Sequence, residues 1–476
     1  MVLEARPYRR QPFDRAEKVY LLKVAILIAI IYFFRREIRS LTGFIWLFAP
    51  FFLFATVWIR SLYTGDRVID ILRQHITLMP VAYTEGGKKN FIPWTTISLV
   101  ALNALIFYAL RLLSPHDLAT ILDRFSFLPV VAEGWNYLFS PLTSLFLHAD
   151  PGHLWGNMAF LWAFAPAVEE RLGKKRFIAL YLLTGVAGTL TSIVVMRLFF
   201  SIAVHVIGAS GAVSGIMGVF MVRCYFKKLV IPVPVFILVN AKLKLNSLII
   251  LGLFFLQDLK GGFRQLAGSH SSIAYWTHVG SMATGFTLAL LFRLHAQAAE
   301  EKYTEAGLNA MDNQYTRRDS VESLTAALQM NPDNEPALLG LARELAITRK
   351  PEGRDLFQKA IALKLRVNPG QAMDIYREYR DSYSQMLDPG LQYRLAGAFY
   401  RKGDHEPAAR LLETIVLEPS ANDETRQRSF FQLIVLLAEN NMLEAAHYRL
   451  RQFREQFPDA PLVQAAEDKF VEMLRK

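Results

Sequence analysis

Between residues 94 and 294 the chain returns again and again to apolar stretches close to the length of a bilayer crossing, and this recurrence limits the possible folds more than any other feature. The stretches cover about 94–113, 154–168, 177–199, 210–226, 246–258 and 274–294. They are judged against the roughly 17 to 25 residues that a helical crossing needs. A backbone facing lipid finds no water for its N–H and C=O groups, so such segments are expected as helices. Two more apolar segments, 20–34 and 43–59, lead the chain. The first is short and carries Lys23, so it spans, lies in the interface or re-enters, and no cleavable signal is read in it. A hydrophobic content of 53%, 34 Phe and a positive mean hydropathy agree with a chain partly in a bilayer.

Charge divides the chain in two. Residues 1–300 hold 29 Lys and Arg against 15 Asp and Glu, whereas residues 301–476 hold 24 against 27. The basic excess thus belongs to the apolar half and reads as cytoplasmic loops, not as a nucleic-acid footprint. All seven Trp also precede residue 300, as interfacial anchoring predicts. Glu169 to Arg176, and Arg223 with Lys227 and Lys228, mark alternate connections as cytoplasmic; the connections near 114–153 and 259–273 then face outward, and the tail after Arg293 is cytoplasmic. Arg35, Arg36 and Arg39 sit between the leading segments, where a simple hairpin puts positive charge on the wrong side. The lone Cys224 excludes an intrachain disulfide and reads as an inert thiol.

After about residue 298 the pattern becomes amphipathic and helical, with Pro332, Pro369, Pro419 and Pro458 each following a helix. The stretch LAGAFYRKGDHEPAARLLETIVLEP resembles a tetratricopeptide repeat, with Ala398, Gly403, Ala408 and Ala409 where two helices must approach closely. A stack of this kind presents a groove for a partner segment; a plain helical bundle is the simpler alternative.

Several polar residues lie where lipid is expected. Gly208-Ala209-Ser210-Gly211 opens an apolar span, and His278 sits near the start of the last one. By itself the tetrapeptide reads as a small-residue packing face. Its company changes that reading, because polar side chains at membrane depth are turned toward a protein interior and are functional by default. A serine hydroxyl needs a base within hydrogen-bond reach, and His278 is the candidate. His148, His153 and Asn157 cluster ahead of another span, and His153 and Asn157, four residues apart, share one face of a helix. Between Glu170 and Glu300 the only acid is Asp258, read here as a span-end residue meeting the interface, which leaves a Ser-His dyad.

Taken together, His148, His153 and Asn157, then Glu169, Gly173 and Phe177, then Gly208 to Gly211, and finally His278 to Gly285 resemble the rhomboid intramembrane serine proteases over roughly residues 90 to 295. The resemblance implies a six-helix core in which Ser210 attacks, His278 is the base, and Asn157, His153 and the Ser210 N–H stabilise the oxyanion. It implies no metal and no other cofactor. His148 is read as a loop or supporting residue. Gly211, Gly215 and Gly218 on one helix, with Gly280, Ser281 and Gly285 on another, are read as facing small surfaces that let Ser210 meet His278. Two departures stand out: Ser281 replaces the family's glycine three residues after the histidine, and Ser214 replaces an aromatic that often supports the imidazole.

The expectation is therefore an all-α, polytopic membrane protein. An extension, 1–90, precedes a rhomboid-like protease core, 91–297, and a cytoplasmic helical-repeat domain, 298–476. The expected setting is a bacterial cytoplasmic (inner) membrane, the partners being the lipid bilayer, transmembrane protein substrates and a cytoplasmic protein at the repeats, with no nucleic acid. A catalytically inactive relative that binds membrane proteins and a membrane-anchored repeat scaffold are the alternatives.

Overall fold

A computed structural model describes residues 76–77, 82–85, 91–127, 135–199, 206–236, 239–269, 271, 273–311, 316–383 and 385–474. The leading apolar segments 20–34 and 43–59 lie outside these residues. The chain divides into two compact units, Met1–Ala298 and Ala299–Lys476.

In the first unit a helix forms over each of the six apolar stretches: α1 (Trp94–Leu110), then α4 (Pro151–Leu172), α5 (Lys174–Phe199), α6 (Ser210–Arg223), α7 (Ser247–Leu266) and α8 (Tyr275–Leu291). Two shorter helices, α2 (Pro115–Phe125) and α3 (Trp135–Thr143), fill the long connection after α1. Among the described residues, α5 is the one helix long and apolar enough by itself to cross a membrane; α1 and α6 are apolar but shorter. α6 is the centre of the unit, buried at every position from Gly211 to Phe220, and it packs against α4, α5 and α8. α5 buries Phe177, Tyr181, Thr184, Gly188 and Ser192, a helical stripe, yet leaves Leu183 60% exposed and Leu190, Val194 and Leu198 exposed as well. In water an amphipathic helix turns its apolar side inward. Here the outer side is apolar too, as on Leu105 of α1 and Leu256 of α7, which is the surface that lipid tails favour.

Local residues fix where these helices begin. Asp150 accepts a hydrogen bond from the His153 N–H at 2.9 Å, with Pro151 as the first helical residue, so α4 starts where His153 and Asn157 share a face. Gly173, at φ 75°, turns α4 into α5. Glu169, read from the sequence as a loop charge, is instead buried on α4. Its carboxylate accepts from Thr95 N (2.8 Å), Thr96 N (2.8 Å) and Thr96 Oγ1 (2.7 Å), first-turn donors of α1. α1 begins at Pro93 with no side-chain cap of its own, so the acid of another helix supplies one. Arg223 and Lys227, also read as loop charges, are likewise buried.

The fold is helical in the main, but the connection between α6 and α7 adds a feature absent from an all-α reading. β3 (Lys228–Phe236) and β4 (Val239–Asn246) form an antiparallel hairpin, flanked by β1 (Ile76–Thr77) on β4 and β2 (Tyr83–Thr84) on β3. Pro232 and Pro234 fit in β3 because their missing N–H groups fall on its outer edge, beyond the stretch that β2 pairs. Thr84 Oγ1 also donates to the Ala163 carbonyl of α4 at 2.7 Å.

α9 (Leu294–Ala310) carries the chain across the boundary into the second unit, which continues with α10 (Arg317–Met330), α11 (Glu335–Ile347), α12 (Pro351–Val367), α13 (Pro369–Ser382), α14 (Pro389–Arg401), α15 (His405–Leu417), α16 (Asp423–Glu439), α17 (Leu443–Gln456) and α18 (Pro461–Leu474). From α10 onward each helix packs on the next, around a core that includes Phe357, Phe399, Leu412, Phe430 and Phe453. The start signals are Asn and Asp caps: Asn334, Asn368, Asp388 and Asn422 each accept from the N–H three residues on. Pro369 begins a helix as much as it follows one. Ala398 and Ala408 are buried between helices as expected. Gly403 is not at a close approach: a Cβ there meets nothing within 4 Å, and the residue is needed for its φ of 82°, which ends α14.

Candidate active site

Ser210 is the first residue of α6 and His278 lies in the first turn of α8. Their side chains meet: Ser210 Oγ is 2.9 Å from His278 Nε2. The start of α8 is held by a hydrogen bond between Thr277 Oγ1 and Ser192 Oγ of α5, both buried. The other nitrogen of the imidazole is engaged as well, since His278 Nδ1 lies 3.3 Å from Asp258 Oδ2. This corrects the reading of Asp258 as an interfacial residue. Ser214, which stands where an aromatic was expected, is buried along α6.

A second cluster gathers at the opening of α6. Gly208 takes φ 114°, and a Cβ there would sit 2.7 Å from His153 Nε2 and 3.2 Å from Asn157 Nδ2, so glycine is required on both counts. The turn is fixed by the Gly208 N–H donating to the Ser144 carbonyl at 2.9 Å and by the Ala209 N–H donating to His148 Nε2 at 3.4 Å. His148 precedes α4 and packs edge-on to the His153 ring at 5.2 Å. Burial, reinforced by the neighbouring His153, pushes its pKa down to about 4, so near neutral pH it is an uncharged acceptor for that N–H. The Asn157 amide Nδ2 is buried and finds no hydrogen-bond acceptor among the described residues. An unpaired buried amide donor is costly and invites a functional account. At the same place the first N–H groups of α6 lack partners within the helix and carry its positive dipole end.

Close packing brings these groups together, and the small faces read from the sequence meet at all but one position. The tight contact of α6 with α8 runs through Gly215 and Gly218, a Cβ on Gly285 overlapping the Gly215 carbonyl and one on Gly218 overlapping that of Met282. Gly211 faces Thr277 of α8, where a Cβ would lie 2.9 Å from Thr277 Cγ2. Gly280 turns instead toward Thr191 of α5, while Ser281 sits between helices, its Oγ against Gly188 of α5 and 3.3 Å from a Cβ placed on Gly211 of α6. Serine in place of glycine at 281 is thus accommodated by a glycine on the facing helix. Among the described residues no three His, Cys, Asp or Glu side chains are grouped to hold a metal. Cys224 is buried and follows the end of α6.

A histidine nitrogen in contact with a serine hydroxyl at the start of an apolar helix is an arrangement in which the imidazole can take the hydroxyl proton. Residues 135–295 match the Rhomboid domain family. Over shorter segments the chain is similar to YdcA of Bacillus subtilis (40% identical over 98 residues, 20% of this chain and 46% of that protein). It is also similar to the rhomboid protease GluP of the same organism (32% over 140 residues, 29% and 25%). A third relative is the mitochondrial Rhomboid protein 1 of Saccharomyces cerevisiae (35% over 99 residues, 20% and 29%). The chain spans less than half the length of each of these relatives. These matches support the rhomboid family for the first unit, and with it a multi-pass membrane protein; the family match ends at residue 295.

Proposed function

We propose that the chain is an intramembrane serine endopeptidase that cuts peptide bonds in or next to the transmembrane helices of its substrates. The observation that carries this is the 2.9 Å contact of Ser210 Oγ with His278 Nε2. His278 takes the hydroxyl proton as Ser210 attacks the scissile carbonyl, then gives it to the leaving amine as the C–N bond breaks; water releases the acyl-enzyme by the same steps. The carbonyl oxygen becomes an oxyanion near the start of α6, where the Ser210 N–H, Asn157 Nδ2 and His153 are its donors. Asn157 Nδ2, buried without an acceptor, supports that role. Gly208 and Gly211 keep this corner open to the substrate, and Gly285 sets the depth at which α8 meets α6.

The six apolar helices form the rhomboid-type core of a protein of a bacterial cytoplasmic (inner) membrane, a reading supported by the bacterial source of two of the relatives named above. The second unit is a degenerate tetratricopeptide-like array on the cytoplasmic side, where it recruits a protein partner or a substrate tail and raises its effective concentration. Ser210 and His278 are both present and in contact, which favours catalysis over a purely binding relative. The test is labelling of the purified protein by a fluorophosphonate probe. Modification of the wild type that vanishes in Ser210→Ala supports an activated serine, and an unreactive wild type in a folded state refutes it.

A further inference from the structure

Asp258 is the single acid between Glu170 and Glu300, and an acid in an apolar helix is costly unless its charge is matched. Its surroundings are arranged around one neighbour. Asp258, Gly261 and Gly262 lie on one face of α7, at spacings of three and four residues. Both glycines are needed for that face to reach the start of α8. A Cβ on Gly261 would sit 2.6 Å from the Tyr275 ring, and one on Gly262 would sit 2.9 Å from the Trp276 indole. Phe263 completes the seam edge-on to Trp276, with ring centres 5.7 Å apart. The approach leaves Asp258 Oδ2 3.3 Å from His278 Nδ1, both side chains less than a fifth exposed, while Nε2 on the opposite side of the ring faces Ser210.

We infer that Asp258 is a positioning residue for His278 and makes the site an acid–imidazole–hydroxyl triad. The inference rests on the Ser210–His278 reading above. A carboxylate accepts and does not donate, so it selects the tautomer with the proton on Nδ1 and leaves the Nε2 lone pair for the serine. When Ser210 Oγ bonds to the substrate carbon, the C=O π electrons move to oxygen, the hydroxyl proton moves to Nε2, and the resulting imidazolium is balanced by the carboxylate, which itself stays unprotonated. The proton then passes from Nε2 to the leaving nitrogen. In this chain the carboxylate fills the supporting role left open by Ser214.

The test uses full-length protein in proteoliposomes and a fluorophosphonate probe, with the labelling rate resolved into kinact and KI. Asp258→Asn keeps shape and volume but presents an amide that can donate to Nδ1 and select the wrong tautomer. Its kinact is expected to fall by about 100-fold or more, with KI within about twofold, the signature of a group that acts through the transition state. Asp258→Glu, which keeps the carboxylate, should recover part of the loss. In a His278→Ala background, Asp258→Asn should add nothing, because its effect passes through the imidazole. Wild-type labelling in Asp258→Asn, with Ser210→Ala and His278→Ala both inert, overturns the triad and leaves the dyad standing. A loss that Asp258→Glu fails to relieve, together with an equal fall in thermal stability in both variants, makes Asp258 a structural tether and also overturns it. Labelling that survives Ser210→Ala instead refutes the underlying protease reading.

Discussion

Glu169 offers a direct test of what holds the first unit together. The side chain is 1% exposed and its two oxygens accept three hydrogen bonds from Thr95 and Thr96 at 2.7 to 2.8 Å. Glu169→Gln keeps the shape, but one oxygen becomes an NH2 group. With Oε1 retained toward Thr95, that NH2 points its hydrogens at the Thr96 N–H. One buried donor loses its partner at about 1 to 3 kcal/mol. The favourable meeting of a carboxylate with a helix N-terminus, about 0.3 to 1 kcal/mol, is lost as well. The expected destabilisation is therefore about 1 to 4 kcal/mol. Thr96→Val removes only the hydroxyl bond and should cost about 1 kcal/mol. Because the two residues share a network, the double variant should lose less than the sum. Equilibrium unfolding in mixed detergent micelles, followed by far-UV circular dichroism, measures all three. A Glu169→Gln shift below about 0.5 kcal/mol, or strict additivity with Thr96→Val, would refute the capping account.

Ser210→Ala and His278→Ala should each abolish cleavage of a model transmembrane substrate, and the double variant should be no worse than either, since residues acting as one unit are not additive; appreciable turnover in His278→Ala ends that assignment. Asn157→Ala should lower turnover by about 10- to 1000-fold with little change in KM, whereas equal turnover with a raised KM makes Asn157 a substrate contact. Gly285→Val puts a side chain onto the Gly215 carbonyl and should destabilise the unit by about 1 to 3 kcal/mol or more and abolish labelling of Ser210, checked by melting temperature and probe in parallel. A chain ending at Ala298 should keep its fluorophosphonate reactivity while losing selectivity among substrates with different cytoplasmic tails; a folded but unreactive truncation shows that the units depend on each other.

The parts of the site legible in the sequence are those whose residue type is anomalous for its place. His278 stands out because apolar helices rarely hold an ionisable group, Ser210 only through the company it keeps, and His153 with Asn157 because a spacing of four residues predicts one helical face without any knowledge of the fold. Gly208 was legible as part of a motif, but its left-handed φ and its contact with His153 and Asn157 depend on how the turn packs. What was missed required knowing which helix faces are neighbours. Asp258 and His278 lie on different helices, and nothing local states that these meet. The clue was the Gly261-Gly262 pair one turn beyond the acid, a small surface with no partner in the sequence reading. The same gap assigns Gly280 to α6, although it packs on Thr191 of α5. Glu169 was read by charge, as a loop residue, although it lies on a buried helix face. The hairpin escaped notice because its prolines argue against a strand until the open edge is seen, although Lys242 and Lys244 alternate with Leu243 and Leu245 in a period of two.

The hairpin also has a mechanical side. Ser247, the first residue of α7, is tied to its base, its hydroxyl donating to the Lys227 carbonyl at 2.6 Å, while Asn246 accepts from the Leu248 N–H at 2.9 Å. That end of the helix is a fulcrum set in a four-stranded sheet, both edges of which come from the chain ahead of α1. Asp258 rides on the arm, about 17 Å along the axis at 1.5 Å per residue. A tilt of about 10° at the fulcrum therefore sweeps the carboxylate through about 3 Å, as far as the 3.3 Å that separates it from His278. The gearing is steep: a small angular slip where the strands pair becomes a full uncoupling of acid from imidazole at the other end of the lever.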